Sequence, residues 1–196
     1  MHLRKLLLWE PTRHIISDRV FGGSDTWATA IILKNAIEYV AKDGGVDIVF
    51  CGRQAIDGDT AQVGPQIAEH LDLPQVSYVE KIDYDGNSKL RIRKATEEGY
   101  QMVEVSTPCL LTVLSAAADA RYMSVNGIVD AYGKEVEIWD ASKIDVDESK
   151  LGLNGSPTRV FKSFTKGAKA AGQIYEVDPQ EAVNIIVEKL KEKFII

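Results

Sequence analysis

The sequence predicts an α/β fold built on a parallel sheet, and three observations carry that expectation. Val46, Ile48, Val49 and Phe50 form a short apolar run between Gly44-Gly45 and Cys51-Gly52, as a buried strand does. Ahead of it, Ala28, Ile31, Ile32, Ala36, Ile37 and Val40 recur at helical spacing and give one buried face. Pro108 to Leu114 is a second near-continuous apolar run, the pattern of a central strand covered on both faces. Helix, tight turn, strand, turn and helix in succession make an α/β unit.

The remaining elements follow in order. Residues 3–9 suit a helix and residues 13–17 a short strand. Phe21 to Asp25 is a turn, in which Ser24 or Asp25 can cap the first long helix. After the strand at 46–51, a loop leads to a helix from about Ala61 to Leu71. Leu73-Pro74-Gln75 opens a strand over Val76 to Ile82, and Asp85-Gly86-Asn87 is a hairpin signal. Leu90 and Ile92 alternate with Arg91 and Arg93, which marks a half-exposed antiparallel strand, with Gly99 to Ser106 as its next neighbour. Beyond Ser115, residues 116–128 read as loop and short helix, and Val136 to Trp139 as a further strand. Residues 141–174 look irregular, with sparse apolar positions such as Ile144 and Val146 between glycines, so they are expected to be an arm packing on something else. Pro179 opens a last helix. The expected division is a nucleotide-binding domain over 1–140 and an arm with its helix over 141–196.

Bulk properties narrow the function. The 196 residues are 45% hydrophobic and 27% charged, ordinary for a globular chain. A net charge of −6 argues against nucleic acid as the main partner. Cys51 and Cys109 lie far apart without metal spacing, and His2, His14 and His70 do not cluster. No apolar run is long enough to span a membrane, and Leu6 to Trp9 is too short a patch for a signal peptide. The cytoplasm is the expected compartment.

Residues 46–64, VDIVFCGRQAIDGDTAQVG, carry the functional signal. A strand that passes through a glycine-containing turn into a helix start gathers backbone N–H groups, and the helix dipole favours an anion there. No serine sits at a nucleophile elbow, and no Gly-Lys-Ser/Thr is present for a Walker loop. Asp57 and Asp59 offer too few oxygen ligands for a calcium loop. Two readings stay open on spacing alone. One is a nucleotide site, with Gln54, Asp57 and Gln62 addressing ribose and base and N–H groups around Thr60 to Val63 holding phosphate. The other is an ordinary capped turn.

This stretch resembles the nucleotide-binding signature of the electron transfer flavoprotein β subunit. Arg121-Tyr122-Met123-Ser124-Val125 is similar to that family's partner-recognition loop, and residues 138–196 to its C-terminal arm and helix. The resemblance implies a doubly wound, Rossmann-like adenine-nucleotide domain, paired with an α subunit that carries the redox-shuttling FAD. The heterodimer then exchanges electrons with flavin dehydrogenases such as the acyl-CoA dehydrogenases of fatty acid oxidation. Conventional members hold AMP in the β-subunit site as a structural ligand. Electron-bifurcating members hold a second FAD there, which takes a hydride from NADH and splits the electron pair.

Asp57-Gly58-Asp59-Thr60-Ala61-Gln62-Val63-Gly64-Pro65 is similar to the bifurcating, FAD-binding pattern, and so is Asp25-Thr26-Trp27-Ala28-Thr29. AMP-binding members tend to carry Asp where Gly58 stands and Asn where Ala61 stands. Small residues there leave room for a diphosphate to approach the backbone. Thr26 and Thr29, a turn apart, can present hydroxyls on one face, or simply start a helix. The nucleotide contacts implied are Asp25, Thr26, Thr29, Cys51, Gly52, Arg53, Gln54, Asp57, Gly58, Asp59, Thr60, Ala61, Gln62 and Val63. Arg53 faces a flavin ring in one reading and solvent in the other. Cys51 and Trp27 read first as packing. Arg121, Tyr122 and Val125 are the implied partner contacts, with Val125 an exposed apolar anchor or a small core residue.

The opening departs from the family pattern, in which further residues supply the first strands. Leu3 to Arg13 reads as a segment altered by a local frameshift, because Met-Gly-Ala-Asp codons shifted by one base give Trp9-Glu10-Pro11. Without those first strands a sheet edge and an apolar face are expected to be uncovered, and flavin binding by this polypeptide alone is expected to be weak.

Overall fold

The computed structural model describes residues 14–42, 44–84, 86, 88–165, 167 and 171–195. The expected helix over 3–9, the altered opening, and Asp85 and Asn87 of the hairpin turn lie outside the described residues. Two compact units divide between Arg159 and Val160.

In the first unit the elements run β1 (His14–Ile16), α1 (Thr26–Ala41), β2 (Ile48–Gly52), α2 (Val63–His70), β3 (Gln75–Tyr84), β4 (Lys89–Thr96), β5 (Gly99–Ser106), β6 (Cys109–Val113), α3 (Val125–Gly133) and β7 (Glu137–Trp139). The main sheet has the order β2-β6-β3-β4-β5. Strands β2, β6 and β3 are parallel, while β3-β4-β5 is an antiparallel meander. A second, parallel pair joins β1 to β7. The α/β class is therefore as expected, with parallel pairing over the β2-β6-β3 side of the sheet.

The local causes are visible in the sequence. Strand β6 lies between β2 and β3, and Cys109, Leu110 and Leu111 are wholly buried, which accounts for the near-continuous apolar run. In β4, Leu90 and Ile92 point into the core while Arg91 and Arg93 stay exposed. Arg93 pairs with Glu80 at 3.0 Å and lies over the Tyr100 ring, so the outer face of the meander is a charged one. Helix α1 is capped by Asp25, whose Oδ1 accepts from Ala28 N at 3.0 Å. It ends where Gly45, at φ +81°, donates to the Ala41 carbonyl. Helix α2 begins at Val63, two residues later than expected, because Ala61 adopts a left-handed conformation.

Helix α1 serves two cores. Ala30 packs with Val49, Ile67, Ala68 and Leu110 against the main sheet. Ile32 and Ala36 pack with Trp139, Ile144, Val146 and Leu151. This second cluster corrects the expected arm, because the chain beyond Asp140 stays on the first unit through Ser156. Ala141, Ile144, Val146 and Leu151 are buried while Leu153 stays exposed, and hydrogen bonds between side chains and backbone do the rest. Asn35 donates to the Asp145 carbonyl at 2.8 Å, and Gly152 N donates to Ser24 Oγ at 3.0 Å. Gly152 sits at φ +60° with no room for a Cβ, which would stand 2.6 Å from the Val20 carbonyl oxygen.

The second unit holds α4 (Pro179–Glu192). Asp178 caps it by accepting from Gln180 N and Glu181 N, and Pro179 takes the first helical position. No residue of this helix is buried, and Val183 and Ile186 leave an apolar stripe open.

Candidate functional site

The loop over 53–62 leaves the C-terminal end of β2 and enters α2. It is the place where a parallel α/β sheet gathers ligands. Asp59 N donates to the Ala55 carbonyl at 3.0 Å, and Gln54 Nε2 donates to Asp59 Oδ1, so the loop closes on itself. Asp59 and Ala61 have φ of 53° and 54°. Left-handed conformations in two non-glycine residues cost about 1–2 kcal/mol each, and such strain concentrates at ligand-binding loops.

At the head of α2, Gln62 occupies the cap position without capping, because its Oε1 accepts from the Thr26 hydroxyl at 3.0 Å. The first turn has Pro65, which lacks an N–H, and its first helical bond runs from Gln66 N to the Gln62 carbonyl. Val63 N and Gly64 N have no acceptor among the described residues. A Cβ on Gly58 would meet nothing within 4 Å, so the loop is open on that side. Gly64 is the opposite case. A Cβ there would stand 2.7 Å from Thr112 Cγ2 and 3.5 Å from Cys51 Cβ, so only glycine lets α2 seat on β2 and β6.

The structure brings the two predicted groups of residues together at the Thr26–Gln62 bond. Asp25 Oδ2 accepts from Thr158 N at 2.9 Å and Thr158 Oγ1 at 2.8 Å, and Asp25 N donates to Ser156 Oγ at 2.8 Å. Burial alone would push this carboxyl up; the bonds from Ala28, Thr158 and Trp27 outweigh it and hold it below the usual aspartate range. Thr29 lies on the first turn of α1, with its N–H on the Asp25 carbonyl. Cys51 is half-buried, and burial raises its thiol, so it stays protonated beside Gly64. Gly52, Arg53, Asp57, Thr60 and Asp59 are exposed along the loop. Trp27 packs edge-on against His70.

Sequence reasoning missed two residues here. Tyr78 has φ +61° at the irregularity where the β3–β6 register shifts between Val76 and Val79. Its N–H donates to Thr112 Oγ1, and its ring lies 5.5 Å from the Arg53 guanidinium. Nothing in the strand pattern marks a bulge, but a lone polar threonine in the apolar run 109–114 is a signal that a neighbouring backbone needs a partner.

The 121–125 segment lies outside regular structure until α3 begins. Ser124 caps α3 by accepting from Gly127 N, and Tyr122 and Val125 are 101% and 77% exposed. Val125 is therefore not a core residue. Arg121 is exposed as well. Val129 and Tyr132 continue the exposed row along α3, which buries only Ala131. Among the described residues no helix is long and apolar enough to cross a membrane, and no group of three or more metal-ligating side chains converges.

Comparison with known proteins adds the family. Residues 12–144 match the electron transfer flavoprotein domain. The chain is 53% identical over 182 residues to the electron transfer flavoprotein subunit beta of Clostridium acetobutylicum, covering 93% of this chain and 68% of the relative. It is 48% identical over 184 residues to the caffeyl-CoA reductase-Etf complex subunit CarD of Acetobacterium woodii, covering 93% and 69%. The acryloyl-CoA reductase electron transfer subunit gamma of Anaerotignum propionicum is 45% identical over 187 residues, with the same coverage.

Proposed function

The chain belongs to the electron transfer flavoprotein family, and from that premise we propose that it is the β subunit of an αβ electron carrier whose 53–62 loop holds FAD. The observation that carries the reading is the open, strained loop with Gly58 against free space and two unpaired N–H groups at the head of α2. An anionic diphosphate fits this chemistry, since Val63 N and Gly64 N point their donors along the helix dipole. Asp25 orients the α1 start beside this donor pair, the Thr26 hydroxyl holds Gln62 at its edge, and Thr29 lies a turn further on. Gln54, Asp57, Asp59, Thr60 and Gln62 supply polar groups for ribose and base, and the small Ala61 keeps the approach free. Cys51 and Gly52 form the floor at the strand end.

A bound flavin would supply hydride acceptance from NADH and one-electron transfer. The residues of this chain bind, orient and polarise. Arg53, held near the Tyr78 ring, is the cation available to the flavin ring, where positive charge favours the reduced anionic form. The row Arg121, Tyr122, Val125 is the docking surface for a flavoenzyme of the acyl-CoA dehydrogenase type. Two relatives whose names join them to CoA-thioester reductases support that partner class.

The test is a cofactor count on the complex purified with its α subunit. Two FAD per αβ pair, with NADH bleaching the flavin absorbance, is the expected result. One FAD with one AMP, and no bleaching by NADH, would replace this reading with a non-redox, AMP-binding scaffold.

A further inference from the structure

The first turn of α1 is gripped by a strap, residues 152–158, that lies 128 to 133 positions further along the chain. Gly152 N donates to Ser24 Oγ at 3.0 Å, and Asp25 N donates to Ser156 Oγ at 2.8 Å. Thr158 gives both of its donors to one oxygen, Asp25 Oδ2, from N at 2.9 Å and from Oγ1 at 2.8 Å. The strap has no slack. Ser156 is buried, and its hydroxyl donates to the Gly152 carbonyl at 2.6 Å. A Cβ on Gly155 would stand 2.1 Å from the Lys150 carbonyl carbon, so the turn that delivers Thr158 closes on glycine alone.

Capping α1 does not require Thr158. One carboxylate oxygen is enough for a cap, and Asp25 Oδ1 serves it by accepting from Ala28 N. Oδ2 belongs to a half-exposed residue, where water would satisfy it equally well. Two donors from one residue do what water does not: they fix the direction in which the carboxylate presents its charge.

That direction matters at this position. The next residue is Thr26, whose hydroxyl donates to Gln62 Oε1 at the head of α2. Asp25 therefore stands one residue from the nucleotide loop's own contact with α1. Burial alone would raise its carboxyl, but the bonds from Ala28, Thr158 and Trp27 hold it low, so it is ionised at neutral pH. A carboxylate beside an anion site opposes the anion unless donors draw its charge aside.

We infer that Thr158 is a positioning residue of the nucleotide site: through Asp25 it keeps the head of α1 in register with Gln62 and holds the aspartate charge away from the bound phosphate groups. The inference rests on the nucleotide reading of the 53–62 loop. It applies to FAD and AMP alike, since both join phosphate to adenosine.

The experiment titrates adenosine, AMP and FAD into the αβ complex after its nucleotides have been removed, and follows binding by calorimetry. Thr158→Val keeps the shape and loses the hydroxyl donor. It is expected to weaken AMP and FAD at least fivefold and adenosine less than twofold, because adenosine brings no anion. Thr158→Ser restores the donor and binds AMP within twofold of wild type. In an Asp25→Asn background the charge is gone, so Thr158→Val then changes AMP affinity less than twofold. Thr158 is exposed, and its melting temperature control should stay within about 3 °C of wild type. Unchanged AMP affinity in Thr158→Val overturns the inference. So does an equal loss for adenosine and AMP, the mark of a purely structural support, or the same loss with Asp25→Asn in place. Tighter binding of AMP than of FAD by the wild-type complex would overturn the FAD reading instead, while the ratio of AMP to adenosine affinity still decides the role of Thr158.

Discussion

Replacing Asp25 by alanine tests whether the head of α1 is held as described. The change removes the acceptor of Ala28 N, a cap of about 1 kcal/mol, and two bonds from Thr158. At a half-exposed position each of the latter contributes about 0.5–1 kcal/mol. Asp25→Ala is therefore expected to cost about 2–3 kcal/mol, and at roughly 2–4 °C per kcal/mol for a chain of this size the melting temperature falls by about 5–10 °C. Asp25→Asn keeps the cap oxygen but turns an amide towards the Thr158 donors, so it loses about half as much. The carboxyl is held below its ordinary value, so its contribution is complete above about pH 4, the unfolded aspartate range, and is lost as pH falls through the lower folded value. The gap between wild type and Asp25→Ala should narrow accordingly between pH 5 and pH 2. Thermal unfolding followed by circular dichroism measures both. A variant within 0.5 kcal/mol of wild type at neutral pH, or a gap that does not move with pH, would refute the reasoning.

Other variants probe the neighbouring features. Gly64→Ala places a methyl 2.7 Å from Thr112 Cγ2, so despite the gain in helix propensity it should destabilise by about 1–3 kcal/mol, read as a lower urea midpoint. Gly58→Asp combined with Ala61→Asn should reduce the flavin content of the αβ complex from two to one, with AMP recovered on acid extraction; retention of both flavins would separate these side chains from cofactor choice. Val125→Asp should leave the melting temperature within about 1 °C, because the residue is exposed, while slowing electron transfer to the partner flavoenzyme at least tenfold. An unchanged transfer rate would remove Val125 from the docking surface.

Much of the first unit was legible from period and punctuation. The α1 stripe, the alternation in β4 and the continuous run in β6 each state a burial pattern that only one local structure satisfies. The loop at 53–62 was legible as a strand-to-helix turn, but not its strain, since left-handed φ at Asp59 and Ala61 falls on residues that are not glycine. The stretch from Ala141 to Ser156 was misread because it has no period. It is held by isolated buried residues, by the Gly152 contact with Val20, and by hydrogen bonds to Ser24, Asn35 and Asp25, partners more than a hundred residues away. The Tyr78 bulge belongs to the same class, a backbone event caused by one threonine on a neighbouring strand.

The position of β6 between β2 and β3 has a consequence for synthesis. The meander β3-β4-β5 pairs neighbours in sequence and can close as soon as it is made. Strand β2 cannot, because its partner is the last strand of the sheet to emerge. At about 5–20 residues per second the ribosome takes roughly 3–12 s to pass from Gly52 to Cys109. During that interval Val49 and the inner edges of both β2 and β3 wait for a strand that does not yet exist. Slow codons between β5 and β6 would prolong that vulnerable interval, and a chaperone bound to the nascent chain would have its natural target there.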